Sequence, residues 1–301
     1  MDNVIETTGL EKNYGRVHAL DGLDLAVRAG EVHGFLGPNG AGKSTTIRIL
    51  LGLAKATRGS ATVFGKNPWD DAVDLHKRIA YVPGDVSLWA NLSGGEAIDL
   101  ISRLRGGTVD AGAYAARKAH LTEVFQFDPG KKGRTYSKGN RQKVALIAAF
   151  ATPAELFILD EPTSGLEPLM EAVFNQEVRR VASEGSTVLL SSHILSEVEQ
   201  LCDRVSIIRA GKTAETGTLA ELRHLTRTEI SFAVGDTEKW SIPGAHDLTV
   251  ESGRVRFTAD STELTPVLTA LAKLNVQGLR IAPASLEELF MRHYGEEVIA
   301  S

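Results

Sequence analysis

The alternation of apolar and polar segments in the first two thirds of the chain predicts buried strands separated by helices. Residues 31–36 predict a short buried strand, and residues 45–51 continue without a helix breaker as far as Gly52. Two later runs, residues 156–161 and 186–192, predict further strands. Strands that alternate with helices in this way favour an α/β fold.

The middle of the chain is predicted to be mainly helical. We expect helical segments over residues 96–105 and 111–126 and from about residue 138. The helical region therefore extends over residues 86 to about 150 and separates the early strands from the later ones.

The last part of the chain predicts a smaller α+β domain. The composition changes after residues 217–219. In chain order we expect a strand, a second strand bent at a Ser–Gly pair, a helix, a strand and a final helix, over residues 228–234, 247–257, 264–274, 276–281 and 285–295. The final helix is expected to begin at a capping box of Ser285 and Glu288. The predicted domains are residues 1–220 and 221–301.

Eight consecutive residues between the first buried strand and its helix match a phosphate-binding loop. They are Gly37, Pro38, Asn39, Gly40, Ala41, Gly42, Lys43 and Ser44. A glycine-rich turn lets successive backbone N–H groups point into one concavity, which opens onto the positive end of a helix. Lys43 adds a point charge, Ser44 is the residue type that ligates Mg²⁺ between the outer phosphates, and Thr45 can donate to the inner phosphate. The sequence predicts binding of ATP or GTP.

Two carboxylates end the strand predicted over residues 156–161. Asp160 is placed to hold Mg²⁺ through water, and Glu161 to orient a water toward the terminal phosphorus and accept its proton. A strand that ends in two acids is common by itself. Here it follows a phosphate loop and precedes a further strand that delivers His193 at its end, and this context favours a nucleotide site.

The segment that leads into the acidic strand carries a family resemblance. Residues 136–142, YSKGNRQ, precede a helical apolar run and resemble the signature segment of the ATP-binding cassette (ABC) family. In that family the Ser-x-Gly turn binds the terminal phosphate of ATP held by a second cassette, so that two cassettes close head to tail. Ser137 and Gly139 occupy the contacting positions. Lys138 replaces the usual first glycine and Asn140 the usual glutamine, which leaves the second glycine intact.

The resemblance covers about residues 3–220. It implies a P-loop NTPase fold, with a RecA-like core, a β subdomain and an inserted helical subdomain over about residues 86–150, followed by the C-terminal α+β domain. The implied ligands are ATP and Mg²⁺. Ser44 and Asp160 would hold the metal, Asp160 through water.

Further family positions match one at a time. Tyr14 falls where the family places an aromatic ring that stacks on adenine, and its alternative is an ordinary aromatic residue at a strand end. Residues 164–167 resemble the loop that contacts the opposing cassette, with Glu where Asp is commoner. His193 resembles the switch histidine that hydrogen-bonds the terminal phosphate. The resemblance implies that Glu161, His193 and Lys43 act in catalysis.

A second segment, residues 92–96, matches the most quoted spelling of the family signature better than residues 136–140 do. Its position argues against that role, because the signature should open the helix that leads directly into the acidic strand, and about forty residues intervene. We interpret Ser93 as an N-cap and Glu96 as its capping-box partner for a helix over residues 97–105.

One position departs from the family pattern. After residues 79–83 the family has a glutamine that contacts Mg²⁺ and the attacking water, whereas this chain has Gly84 and Asp85. Two alternatives stay open. Either water completes the metal shell, or Asp85 reaches the metal with a charged oxygen.

Charge and composition limit the function classes. The formal net charge of −5 argues against a nucleic-acid binder. No aromatic residues interleave the basic cluster to stack bases, so we expect a solvated face. The cluster comprises Lys131, Lys132, Arg134, Lys138, Arg141 and Lys143. The single cysteine, Cys202, excludes an intrachain disulfide and fits a reducing compartment.

The chain shows no signal for secretion or for crossing a membrane. Its first residues lack a basic start and an apolar run, so we expect the protein to stay inside the cell. The longest wholly apolar stretch, residues 144–151, is far shorter than the roughly 18 residues that predict a membrane span. Any membrane role is expected to come through a partner.

Residues 283–295 resemble the C-terminal tail of cassette subunits from bacterial drug and antibiotic exporters of the daunorubicin-resistance type. The alternative is a tail that only packs against the core or a second copy. The resemblance implies an ATP-hydrolysing subunit that forms a homodimer or heterodimer of cassettes and drives a separate permease at the cytoplasmic face of the membrane. The alternatives are the ATPase subunit of an importer and, less favoured, a soluble cassette ATPase acting on ribosomes or nucleic acid.

Overall fold

The computed structural model describes residues 2–106, 110–224, 228–233, 242–251, 253–260, 263–274 and 276–282. Contacts divide the chain into two compact units, Met1–Thr216 and Gly217–Ser301, and each is considered by itself. The boundary predicted from composition lay between residues 220 and 221. The final helix predicted over residues 285–295 lies outside the described residues.

The first unit contains two sheets. In chain order its strands are β1 (Asn3–Tyr14), β2 (Val17–Arg28), β3 (Val32–Leu36), β4 (Arg58–Val63), β5 (Ile79–Val82), β6 (Leu156–Asp160), β7 (Thr187–Ser192), β8 (Arg204–Arg209) and β9 (Lys212–Thr218). β1 lies between β2 and β4 and is antiparallel to both. The central sheet has the order β5-β6-β7-β3-β8-β9, and its neighbours from β5 to β8 are parallel. The carboxyl ends of these parallel strands therefore meet at one edge.

Helices cover the central sheet, as the sequence predicts for an α/β fold. The helices of the first unit are α1 (Lys43–Leu50), α2 (Ala72–His76), α3 (Gly94–Arg105), α4 (Ala111–Val124), α5 (Lys138–Phe150), α6 (Pro168–Ser183) and α7 (Leu195–Leu201). Of these, α1, α2, α5, α6 and α7 contact strands of the central sheet. All residues of β3, β6 and β7 are buried, because apolar strands of a parallel sheet are covered on both faces. α1 contacts β2 and β4 of one sheet and β6 of the other, which fixes the start of α1 relative to the strand ends.

The helical insertion predicted over residues 86–150 is present as α3, α4 and α5. α3 begins at the capping box predicted from Ser93 and Glu96: Ser93 Oγ accepts a hydrogen bond from Glu96 N at 3.2 Å, and Ser93 N donates to Glu96 Oε2 at 2.6 Å. Residues 142–150 of α5 are buried throughout, and α5 contacts both α3 and β5. The insertion is thus anchored to the central sheet by α5, the helix that leads into β6.

The second unit combines α8 (Leu219–His224) and α9 (Leu264–Lys273) with a four-stranded sheet. Its strands are β10 (Thr228–Ala233), β11 (His246–Glu251), β12 (Arg254–Ala259) and β13 (Gln277–Ala282), in the order β11-β12-β10-β13. The single bent strand expected over residues 247–257 is wrong, since β11 and β12 are two antiparallel strands. Gly253, with φ +76°, supplies the left-handed conformation that reverses the chain between them.

Within the described residues, every helix is too short or too polar to span a bilayer.

Candidate nucleotide site

The phosphate loop lies between β3 and α1 and depends on two glycines for its close packing. Gly42 is the residue before α1 and has φ +112°. A Cβ at this position would lie 2.6 Å from Leu20 Cδ2, and a Cβ at Gly37 would lie 2.7 Å from the carbonyl oxygen of Ile208. Side chains at either glycine would therefore push the loop away from β2 and β8. The loop is held in place by contacts within the chain.

The Lys43 side chain folds back over this loop and is buried. Its Nζ donates to the carbonyl oxygens of Gly37 at 2.5 Å and Pro38 at 3.2 Å, and lies 3.7 Å from Glu161 Oε1. Burial lowers the pKa of Lys43, while the negative charges of Glu161 and Asp160 oppose the shift. The ammonium group is thus held where the phosphate loop meets the end of β6.

A cavity of about 320 Å³ opens beside Lys43. The predicted site residues that line it are Tyr14, Pro38, Asn39, Gly40, Gly42, Lys43, Ser44, Thr45 and Glu161. Gly37 and Ala41 are buried in the loop beneath it. Tyr14 is about half exposed, and Lys12 Nζ lies 4.9 Å from the centre of its ring. One wall of the cavity is therefore aromatic, and the floor is a loop of backbone amides.

Asp160 ends β6 with a buried carboxylate. Ser191, its partner in the parallel register with β7, donates from Oγ to Asp160 Oδ1 at 2.9 Å. The sequence did not single out Ser191. Its role follows from strand order, since β7 lies directly beside β6.

Glu161 adopts an uncommon backbone conformation directly after β6. Its φ is +47°, in the left-handed region, where a residue other than glycine carries a strain on the order of 1–3 kcal/mol. A hydrogen bond from Glu161 N to the carbonyl oxygen of Ser191, at 2.9 Å, fixes this turn. The side chain contacts two nitrogen groups, with Oε1 3.7 Å from Lys43 Nζ and 3.3 Å from His193 Nδ1.

The signature-like residues lie outside the cavity. Ser137 is the N-cap of α5 and accepts a hydrogen bond from Asn140 N at 3.3 Å. Gly139 approaches the backbone of Gly165 so closely that an added Cβ would lie 2.4 Å from its carbonyl oxygen. One chain therefore places Tyr14, Lys43 and Glu161 on the cavity wall and His193 beside Glu161, but Ser137 and Gly139 do not line the cavity.

Comparison with known proteins identifies the family. The family profile described as ABC transporter matches residues 20–164, a range that includes the phosphate loop and the acidic pair. The daunorubicin resistance ATP-binding protein DrrA3 of Streptomyces coeruleorubidus is 35% identical over 98% of this chain and 97% of that protein. The chain belongs to the ABC transporter family. It is an ATP-binding ATPase of that family, so the predicted nucleotide is ATP.

Two further comparisons agree with this assignment. The bacitracin transport ATP-binding protein BcrA of Bacillus licheniformis is 36% identical to this chain, and the match covers 79% of this chain and 78% of BcrA. The solved structure of an ATP-binding subunit of an ABC transporter matches this chain with a TM-score of 0.69 and 30% sequence identity. The match covers 74% of this chain and 92% of the solved chain. The predicted ABC cassette fold is confirmed.

Gly84, where the family resemblance predicts a glutamine, follows β5 beside the acidic strand β6. A Cβ at Gly84 would lie 3.2 Å from the carbonyl oxygen of Asp160, which is tighter than most real Cβ contacts. Asp85 is exposed. The glycine thus allows the backbone after β5 to approach the end of β6.

Three residues that line the cavity were not predicted from the sequence: Val17, His18 and Ala19. They begin β2, which pairs with the end of β1 so that Tyr14 faces Val17 across a tight turn. Gly15, with φ +61°, was the available signal, because a glycine between two strand-like segments predicts such a hairpin.

Proposed function

We propose that this chain is the ATP-hydrolysing subunit of an exporter for drugs, antibiotics or other hydrophobic compounds, and that it acts at the cytoplasmic face of the membrane through a separate permease. The contacts of Lys43 and His193 with Glu161, which lines the cavity together with Lys43, carry the ATPase assignment. Similarity along nearly the whole chain to a daunorubicin resistance protein, and over most of it to a bacitracin transport protein, supports export.

The proposed chemistry follows from the charges around the cavity. The terminal phosphate of ATP lies between Lys43 and His193, where the ammonium group offsets the negative charge that spreads over the phosphoryl oxygens. Glu161 accepts the proton of the attacking water as that water's oxygen bonds to phosphorus and the bond to ADP breaks. Tyr14 offers a flat apolar surface for the adenine ring.

The residues of this site fit Mg²⁺. A hydroxyl at Ser44 and a carboxylate at Asp160 are hard oxygen donors, which Mg²⁺ prefers together with water and phosphate oxygens. Both residues flank Lys43 at the carboxyl edge of the sheet, and Asp160 would hold the metal through water. When bound, Mg²⁺ would neutralise charge on the outer phosphates.

Asp85 is a candidate for completing the metal shell in place of the missing glutamine. Its exposed carboxylate follows Gly84, whose backbone approaches Asp160. If Asp85 contacts the metal, Asp85→Ala raises the Mg²⁺ concentration needed for half-maximal ATPase activity, whereas Asp70→Ala, an exposed control, does not. An unchanged Mg²⁺ dependence would exclude the contact and favour a shell completed by water.

A second cassette completes each site in this proposal. Ser137 and Gly139 sit at the N-terminus of α5 but outside the cavity of their own chain, so a facing copy or a related cassette supplies them. ATP binds the closed dimer better than the open one, and this difference in affinity closes the cassettes until hydrolysis removes it. The permease would convert closure into outward release of the compound.

Glu161→Gln tests the catalytic assignment and the dimer together. Loss of the base should lower kcat by roughly 10²–10⁴-fold, because a positioned general base contributes that much. The variant should also accumulate as an ATP-bound dimer, measured by analytical ultracentrifugation with and without ATP. Glu123→Gln changes an exposed acid on α4 and is the matched control.

Two outcomes would contradict these assignments separately. Normal hydrolysis by Glu161→Gln would refute the base. A Glu161→Gln protein that stays monomeric with saturating ATP, alone and with its permease, would refute the dimer.

Co-purification from the native membrane separates export from its alternatives. An exporter subunit should bring down a multi-span membrane protein alone. Recovery of an additional external solute-binding protein would indicate an importer, and recovery of ribosomes without a membrane protein would indicate a soluble factor.

A further inference from the structure

Glu197 is a buried acid close to the catalytic histidine that none of the roles above uses. It lies on α7, which begins two residues after His193. The Glu197 residue is only 7% exposed. Acids are rarely buried to this extent unless a specific interaction holds them.

The carboxyl group of Glu197 is bonded to the segment that carries His193. Ser192 donates from Oγ to Glu197 Oε2 at 2.9 Å, and Ser192 Oγ in turn accepts a hydrogen bond from Ile194 N at 2.9 Å. Ser192 precedes His193 and Ile194 follows it. The backbone is therefore fixed on both sides of the histidine by one hydroxyl group, and that hydroxyl is held by Glu197.

The same carboxyl group also faces the loop that follows the acidic strand. The side chain of Thr163, two residues after Glu161, lies beside it and is itself buried. Glu197 thus sits between the two backbone segments that deliver Glu161 and His193. The carboxylate and imidazole of those residues are 3.3 Å apart, so small shifts of either segment change their contact.

Burial has the largest influence on the pKa of Glu197. Burial raises the pKa of Glu197, Thr163 and Ser192 oppose the shift, and Glu171 raises the pKa further. The charge of His193 acts weakly in the opposite direction. Oε1 of Glu197 is buried without a hydrogen-bond partner.

We propose that Glu197 is a positioning residue of the ATPase site, which fixes His193 through Ser192 and ties that segment to the loop after Glu161. Glu197 does not line the nucleotide cavity, so its effect reaches the reaction only through His193 and Glu161. The inference rests on the catalytic roles proposed above for those two residues.

A double-mutant cycle tests this proposal. ATPase kinetics are measured for the wild type, Glu197→Ala, His193→Ala and the double variant. Glu197→Ala should lower kcat by about tenfold or more, since misplacing a reacting group by about 1 Å can cost 10²-fold, while KM for ATP changes less than about threefold. In the His193→Ala background, Glu197→Ala should lower kcat by a clearly smaller factor than in the wild type, because the part of its effect that passes through His193 is already lost.

Glu197→Gln is the conservative variant. Its amide is neutral and keeps an acceptor oxygen for Ser192, so kcat should stay within about threefold of the wild type. Ser196→Ala, at an exposed position on the same helix, should leave kcat unchanged. Binding of a fluorescent ATP analogue and thermal melting establish that each variant is folded.

Several results would overturn the proposal. An equal loss of kcat from Glu197→Ala in both backgrounds would show that Glu197 acts independently of His193, and a wild-type kcat in Glu197→Ala would show that it positions nothing. If Glu197→Ala does not fold, Glu197→Asp replaces it in the cycle with the same expectations, because the shorter side chain cannot reach Ser192 and Thr163 together. A wild-type kcat in His193→Ala alone would instead refute the role of the histidine. The single variant shows this result independently of Glu197, so the two failures are distinguishable.

Discussion

The phosphate loop and the signature-like segment differ in how much of their environment a single chain supplies. The loop follows the buried strand β3, and its glycines pack against β2 and β8. Lys43 donates a hydrogen bond to its backbone. The signature segment has an exposed Ser137 and a half-buried Gly139, and its close contact is with the loop at Gly165. In the proposed site, the phosphate-binding half is organised within the chain, whereas the signature half is partly exposed.

This difference separates two measurable quantities. Because the phosphate-binding half is complete in one chain, nucleotide affinity should depend on residues of the loop. Because the signature half faces away from the cavity, its residues should affect hydrolysis and ATP-dependent dimer formation without affecting binding to the single chain. Variants in the two halves should therefore affect different measurements.

Lys43→Ala should give the largest effect on binding. It removes the ammonium group that joins the loop to Glu161, and hydrogen bonds from charged groups are worth about 1.5–3 kcal/mol, so ATP affinity should fall by roughly 10–100-fold or more. Equilibrium titration with a fluorescent ATP analogue measures the change. Lys131→Ala, an exposed lysine near the signature segment, is the control and should bind normally. Unchanged affinity in Lys43→Ala would mean that the loop backbone alone binds the phosphates.

Gly139→Ala should lower the rate of hydrolysis while leaving ATP affinity nearly unchanged. The added Cβ would meet the carbonyl oxygen of Gly165 at 2.4 Å, which forces the start of α5 away from that loop. ATP affinity of the single chain should stay within about twofold, whereas kcat should fall about tenfold or more through the disturbed dimer. Combined with Glu161→Gln, the change should also prevent the ATP-bound dimer in ultracentrifugation.

Gly130→Ala is the control for the glycine substitution, since its Cβ would make only an ordinary contact of 3.4 Å with Asp128 Oδ1. If Gly139→Ala instead weakened ATP binding as much as Lys43→Ala, the two halves of the site would not be separable, and the comparison would fail.

The sequence predicted those parts of the site that depend on local order along the chain. The strand, glycine loop and helix around Lys43 are consecutive, so their geometry follows from the pattern alone. Ser93 was distinguished from Ser137 by the same reasoning, because only α5 leads directly into β6. Tyr14 required the family resemblance, since an aromatic residue at a strand end has no specific meaning by itself.

The remaining features depend on contacts between distant segments, which no local pattern reports. Ser191 reaches Asp160 because β7 lies beside β6, and the sequence gives no strand order. The positive φ of Glu161 is imposed by the bond to Ser191 rather than by a glycine. Glu197 was not predicted as a site residue, because its burial and its bond to Ser192 depend on how α7 packs.

Lys138→Gly should have the smallest effect of these substitutions. Lys138 replaces the family glycine, and its Nζ donates to Ser164 Oγ at 2.6 Å, so it ties the exposed signature turn to the neighbouring loop of the same chain. The pair is exposed, and such interactions contribute about 1 kcal/mol or less, so kcat should change by less than about fivefold and ATP affinity should not change. Ser164→Ala removes the same bond from the other side and should reproduce the effect without adding to it in the double variant. If Lys138→Gly lowered kcat as strongly as Gly139→Ala, the signature segment would depend on a tie within its own chain, and its apparent openness toward a partner would be misleading.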